Sequence, residues 1–218
     1  MIAPGHGLMM DILRASVRFE EFDYQTLLQA LRQYAHPRDR VTRLLETGAI
    51  VRVKKGLYVF GPAFRRQPYS AELLANLISG PSYVSFEHAL SFYGLIPERV
   101  ETITCATFGK SRTFTTPLGR FTYRPVPRHV FWIGVTLVDI GANRAVLMAR
   151  HEKALCDTVV VSRRLVGRSR RALRNSLADD LRLDMDQLAT LDAAVVADLA
   201  LRWPSRRLEH LAEVIAHE

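Results

Sequence analysis

Long apolar runs are missing from this 218-residue sequence, and no stretch approaches the roughly 20 residues that a membrane-spanning helix requires. The N-terminus, MIAPGHGLMMDILR, lacks a basic start followed by an apolar core and a cleavage site. No membrane partner is therefore expected, and the expected compartment is the cytoplasm. Cysteine is scarce. Cys105 and Cys156 lie far apart and outside any C-x-x-C spacing, which argues against a disulfide framework or a zinc site and predicts two buried, inert thiols. Glycine-rich phosphate loops, a G-x-S-x-G elbow and the H-E-x-x-H pattern are all absent. A magnesium-dependent enzyme would need clustered carboxylates. Asp139 stands alone on a predicted strand; Glu152 and Lys153 are adjacent and so fall on different bearings of a predicted helix, and Asp157 is five residues on from Glu152 and some way round it. We expect no catalytic residue, no metal site and no cofactor. No internal repeat of 20 to 50 residues is visible, which excludes solenoid architectures of that period.

Apolar and basic residues are what the chain does have. A hydrophobic content of 48% with 24% charged residues is enough for one large or two small cores, so disorder is not expected. The formal net charge of +8 points to an anionic partner without separating DNA from RNA or from an acidic protein surface. Much of the excess is local. Residues 37–66 contain Arg38, Arg40, Arg43, Arg52, Lys54, Lys55, Arg65 and Arg66 against Asp39 and Glu46.

That basic stretch overlaps a pattern of helix, turn, helix and hairpin over residues 22–60. Asp23 is a suitable N-cap for a helix carrying Leu27, Leu28 and Leu31. Pro37 suits the first position of a second helix, and Gly48 suits its end. In that second helix Val41, Leu44 and Leu45 share one side, while Asp39, Arg40, Thr42, Arg43 and Thr47 point elsewhere. Residues 50–53 then alternate as a strand, Lys54-Lys55-Gly56 forms a basic tip, and residues 57–60 return. Leu8, Ile12, Leu13 and Val17 predict an opening helix over 8–17, making a three-helix unit. Residues 18–23 are read as a connector able to add a short strand beside the hairpin.

An α-helix fits the DNA major groove, arginine can read guanine through two hydrogen bonds, and lysine at a hairpin tip suits phosphate. The candidate contacts to double-stranded DNA are therefore Arg38, Arg40, Thr42, Arg43, Thr47, Lys54 and Lys55.

The segment GPAFRRQPYS carries the punctuation of an extended linker. We expect a winged helix-turn-helix domain over 1–62, a linker over 63–68 and a second domain over 69–218. Ser70 and Ser85 are candidate caps of two short helices, the first holding Leu73, Leu74, Leu77 and Ile78, the second Phe86, Ala89, Leu90 and Tyr93. Glu87 and His88 in the second are assigned a solvated or capping role. Residues 101–108, 113–116, 119–124, 132–139 and 145–148 alternate as strands of a small, mostly antiparallel sheet. Arg112, Arg120, Arg124 and Arg128 on or between them are either edge charges that discourage aggregation or a second anion- or partner-facing surface. The last third is helical, with stripes at Leu173, Leu177 and Leu181, at Val195, Val196 and Leu199, and at Leu208, Leu211 and Ile215. The expected class is α+β: a winged helix-turn-helix, then a mixed domain ending in a helical bundle. Arg163, Arg164, Arg168, Arg170, Arg171 and Arg174 form a second basic cluster with no acid between them. Three roles remain open for it: a solvated face, a second DNA contact, or a toxin- or nucleotide-facing surface.

The run VTRLLETGAIVRVKKGLYVFGP, then PSYVSFEHALSFYGLIPE and HEKALCD, resembles the AbiEi-type antitoxins of abortive-infection, type IV toxin–antitoxin systems. The resemblance spans the chain from about residue 22 to the C-terminal helices. It implies an N-terminal winged helix that represses its own operon at inverted repeats in the promoter. It also implies a C-terminal domain that helps neutralise a nucleotidyltransferase-like toxin, with or without direct contact. The alternative from another class is a DNA-processing nuclease targeted by a winged-helix domain, with Asp139 as its test residue.

Overall fold

The structure, a computed structural model, describes residues 4–218, with side chains from Leu8 onward. The described residues form a mixed α+β fold whose strands lie in one sheet of three and one of six. The chain divides into two compact units, residues 1–78 with 116–118, and residues 79–115 with 119–218.

The first unit opens with α1 (Pro4–Ser16). Its buried stripe is Met9, Met10, Leu13 and Val17, whereas Leu8 is 66% exposed. Met9 and Met10 pack as their apolar side chains predict, Ile12 is half-buried, and only Leu8 leaves the expected apolar face. Strand β1 (Glu21–Asp23) leads into α2 (Tyr24–Ala30) and α3 (Pro37–Glu46), and β2 (Ile50–Lys54) and β3 (Leu57–Phe60) form a hairpin. The sheet order is β1-β3-β2, with both pairings antiparallel. Local chemistry explains the boundaries. The Asp23 carboxylate accepts from the Thr26 amide at 2.7 Å, Pro37 stands in the first turn of α3, and Gly48 ends it at φ +67°. Gly61 follows β3 where the backbone folds against the α3–β2 corner. Its amide donates to Ala49 O at 2.8 Å, and a Cβ there would lie 1.8 Å from Gly48 O, so only glycine fits.

Residues 61–70 are not a free linker. Phe64 packs on the core, and the Glu20 and Glu21 carboxylates accept from the amides of Arg66 and Ser70 at 3.2 and 2.7 Å. Helix α4 (Ala71–Ile78), whose Leu73 amide is capped by the Ser70 hydroxyl, completes this unit. The division therefore falls at 78/79, later than the 62 and 69 boundaries read from proline and glycine punctuation. Backbone amides collected by acidic side chains from elsewhere in the chain leave no mark on that punctuation.

Hydrogen bonding to Thr26 holds the Asp23 carboxyl below its ordinary value. A depressed carboxyl stabilises the fold above its unfolded value and loses that contribution as pH falls through the folded one. Asp23→Ala is expected to cost about 1 kcal/mol at pH 7, the usual size of a cap. In denaturant titrations the gap between parent and variant should narrow as pH falls below the ordinary carboxyl range; a gap undiminished in acid would assign the loss to something other than the cap.

In the second unit β4 (Ser82–Val84), α5 (Phe86–Phe92), β5 (Ile103–Thr107), β6 (Arg112–Thr116), β7 (Gly119–Pro125), β8 (Val135–Asp139) and β9 (Ala145–Ala149) precede five helices. These are α6 (His151–Val161), α7 (Arg170–Asp179), α8 (Met185–Leu188), α9 (Ala193–Arg202) and α10 (Arg206–Ile215). The sheet order is β6-β7-β5-β4-β9-β8. It is larger than expected and mixed: β5 runs parallel to β7 and β4 parallel to β9, beside the antiparallel pairs β4–β5 and β8–β9. Strand β4 was not foreseen, because three fully buried residues show no alternation. It sits between β5 and β9 and creates one of the parallel pairs. Helix α10 packs on α6, α7 and α9, burying Leu208, Leu211 and Ile215 against Leu173, Leu177, Val196 and Leu199, while Val195 faces out.

The centre of this unit is polar. Lys153 and Asp157, one helical turn apart on α6, are both fully buried, with Nζ 2.8 Å from Oδ1. Asp157 Oδ2 accepts from the hydroxyls of Tyr83 at 2.9 Å and Ser85 at 2.7 Å. The Ser85 side chain was expected to cap α5; it stands at the N-cap position but is turned inward to Asp157. Burial pushes the Asp157 carboxyl up, against a partial pull downward from Lys153, Ser85 and Tyr83. Cys105 and Cys156 are both buried outside any disulfide, and burial pushes the Cys156 thiol well above its ordinary range.

Candidate nucleic-acid interface

Helix α3 divides its residues by chemistry. Val41 and Leu44 are buried in the first core and Leu45 is partly so, leaving Arg38, Asp39, Thr42, Arg43 and Thr47 exposed. The exposed threonines bond back to their own helix: Thr42 and Thr47 donate their hydroxyls to Arg38 O and Arg43 O at 3.3 and 2.9 Å. Arg40 is half-buried, its guanidinium 5.2 Å from the Tyr34 ring centroid, which restricts its reach. Arg38 and Arg43 remain the outward cations of this helix.

At the hairpin tip the two lysines differ. Lys55 is exposed beside Gly56, whose φ of +87° makes the turn. Lys54 is half-buried and its ammonium donates to Ile78 O at the end of α4. A register shift between Arg52 and Lys54 turns the chain at that point. Sequence spacing assigned both lysines to one role; the carbonyl that holds Lys54 comes from 24 residues away.

Two cations outside the initial set belong to the same surface. Arg52 is exposed on β2, next to the tip. Arg32, in the turn after α2, lines one hollow with Leu28, His36, Arg38 and Asp39 at the start of α3. The turn breaks helical periodicity, so no spacing rule pointed to Arg32.

In the second unit the cluster of Arg163, Arg164, Arg168, Arg170, Arg171 and Arg174 is exposed, but it does not act as one block. Arg174 is taken up by Glu218 through two contacts, one of them 3.0 Å. Arg163 and Arg164 follow α6, whereas Arg170 and Arg171 begin α7 behind the cap of Ser169. Among the strand arginines, Arg124 donates to Glu87 at 3.0 Å and stacks 4.9 Å from the Phe86 ring, and Arg128 stacks 5.2 Å from Phe108. Glu87 is therefore an ion-pair partner, and His88 Nδ1 lies 3.2 Å from Val100 O.

Asp139, the residue a nuclease reading would use, is exposed at the end of β8, where it accepts from Gly141 N at 2.8 Å. Among the described residues no group of three or more His, Cys, Asp or Glu side chains is placed to hold a metal ion. No described helix is long and apolar enough to cross a membrane.

Comparison with solved structures finds a shared fold. The chain is similar to the crystal structure of the RV2827C protein from Mycobacterium tuberculosis, with a TM-score of 0.63 at 16% identity, covering 96% of this chain and 75% of that one. No protein-family model matches the chain, and a search of curated proteins gives no match. At this identity the likeness speaks for the fold alone.

Proposed function

We propose that the chain is a DNA-binding regulator that contacts its own promoter through α3 and the β2–β3 hairpin, used as a winged helix-turn-helix. The observation that carries this reading is the division of α3 into a buried Val41/Leu44 side and an exposed side bearing Arg38, Thr42 and Arg43, followed at once by the Lys55 tip. A helix of this kind matches the width of the major groove, and the hairpin tip reaches flanking phosphate. The resemblance of the sequence to AbiEi-type antitoxins extends the proposal to repression of a toxin–antitoxin operon at inverted repeats. It also extends it to neutralisation of a nucleotidyltransferase-like toxin by the second unit.

Electrophoretic mobility shifts on the chain's own promoter and on random duplex test the proposal. Log K should fall with log salt at about −0.9 per phosphate contact. Arg43→Ala is expected to cost about 1–3 kcal/mol on the promoter and little on random DNA, as loss of a two-pronged guanine contact does. Lys55→Ala should weaken both duplexes alike and flatten the salt slope by about one contact. Lys54→Ala should affect binding less than Lys55→Ala, since its ammonium is already held by Ile78 O. Equal affinity for promoter and random duplex, or binding indifferent to salt, would refute promoter recognition.

A further inference from the structure

Strand β7 presents Arg120, Thr122 and Arg124 on one face by the two-residue period of a strand, while Phe121 and Tyr123 are buried on the other. The strand lies inside the sheet, between β6 and β5, so edge protection does not account for its arginines. The segment that leaves α6 brings Arg163 and Arg164 to the same place. Two arginine groups roughly forty residues apart in sequence thus line one cleft of about 610 Å3, together with Thr122 and Glu87. That volume falls within the usual range of small-molecule sites, about 300–1,000 Å3.

The electrostatics of the cleft are one-sided. Glu87 is the acid among its lining residues and is engaged by Arg124 at 3.0 Å. The guanidiniums of Arg120, Arg163 and Arg164 have no ion-pair partner among the described residues. Two carbonyls near the end of α6 are occupied: Arg207 donates to Val159 O and Ser162 O at 3.0 and 2.6 Å. Two polar atoms of the lining, Thr122 Oγ1 and Glu87 Oε2, are buried without a protein hydrogen-bond partner. Both atoms are themselves buried, so they belong to the wall of the cleft and are not contacts to an occupant. Val100 and Val161 add apolar wall to the same cleft.

We propose that this cleft binds a nucleoside phosphate, with Arg120, Arg163 and Arg164 on the phosphates and the valine-lined wall against the nucleoside. Arginine is the side chain whose planar fork matches phosphate oxygens two at a time, and three unneutralised forks around one concavity suit a di- or triphosphate. A single open concavity of this volume matches the size of a small ligand. The site is separate from the α3 surface and does not depend on the DNA-binding reading.

Isothermal titration of the full chain at physiological salt tests it, with ATP, GTP, CTP and UTP as probes beside inorganic pyrophosphate and a short poly-glutamate peptide. One nucleoside triphosphate is expected per chain. Arg120→Gln and the double variant Arg163→Gln/Arg164→Gln, all at exposed positions, should each weaken it at least tenfold with an unchanged thermal midpoint. Arg43→Ala should bind nucleotide like the parent, whatever it does to DNA. The proposal is overturned if no nucleotide binds at millimolar concentration, or if the cleft variants keep the parent affinity. It is equally overturned if pyrophosphate or poly-glutamate binds as tightly as the best nucleotide, which would make the cleft a generic anion surface.

Discussion

Glu20→Ala is expected to remove about 3–5 kcal/mol from the first unit, the cost of leaving one member of a buried ion pair alone. Arg14 donates to both Glu20 oxygens at 2.8 and 2.9 Å and to Phe64 O at 2.8 Å, and its guanidinium lies 3.7 Å over the Phe60 ring. Glu20 also accepts from Arg66 N. The pair therefore fastens α1 and the segment 60–66 to the lead-in of β1, and both residues are almost wholly inaccessible. Truncating the carboxylate strands a guanidinium in that space and frees the segment on which α4 depends. Hydrogen exchange should show lost protection across residues 8–78 with the six-stranded sheet unchanged. The double variant Arg14→Met/Glu20→Ala should recover part of the loss, because a buried apolar side chain carries no desolvation penalty. A Glu20→Ala chain within about 0.5 kcal/mol of the parent, the scatter of an ordinary surface change, would show that the pair does not hold this unit together.

Asp157→Ala should be at least as severe for the second unit, at about 3–5 kcal/mol, since it orphans the Lys153 ammonium together with the Tyr83 and Ser85 hydroxyls. Lys153→Met is the informative companion. It leaves Asp157 with two hydroxyl donors and no countercharge, so burial then pushes the carboxyl up unopposed by a cation. A carboxyl raised in the folded state binds more protons folded than unfolded; stability is then greatest below the unfolded value and falls as pH rises toward the folded one. The Lys153→Met chain is accordingly expected to lose more stability at pH 7 than at pH 4.5 in urea titrations. A deficit independent of pH would mean that Asp157 does not titrate in the variant. Neither side chain of this pair reaches solvent, so the cluster specifies packing of β4 and α5 on α6 rather than touching any ligand.

The helices, turns and hairpin of residues 22–60 were legible because their signals are local. Asp23, Pro37, Gly48 and the alternation through Val53 each act within a few residues, where a cap, a fixed φ or a left-handed turn decides the outcome. The α+β class followed from the same local periods. What lay beyond sequence came from distant partners. Lys54 reads like Lys55 until Ile78 O takes its ammonium, and Ser85 reads as a cap until Asp157 takes its hydroxyl. The polar run around Lys153 and Asp157 resembles an exposed helix face; its burial follows only from the elements packed on it. The parallel pairings of β5 with β7 and β4 with β9 depend on strand order, which no strand carries in its own residues. Arg120 and Arg163 likewise come to one cleft only because β7 sits inside the sheet next to the end of α6. Local backbone preference wrote the elements; side-chain pairing across long loops decided which charges are neutralised inside the fold and which stay exposed.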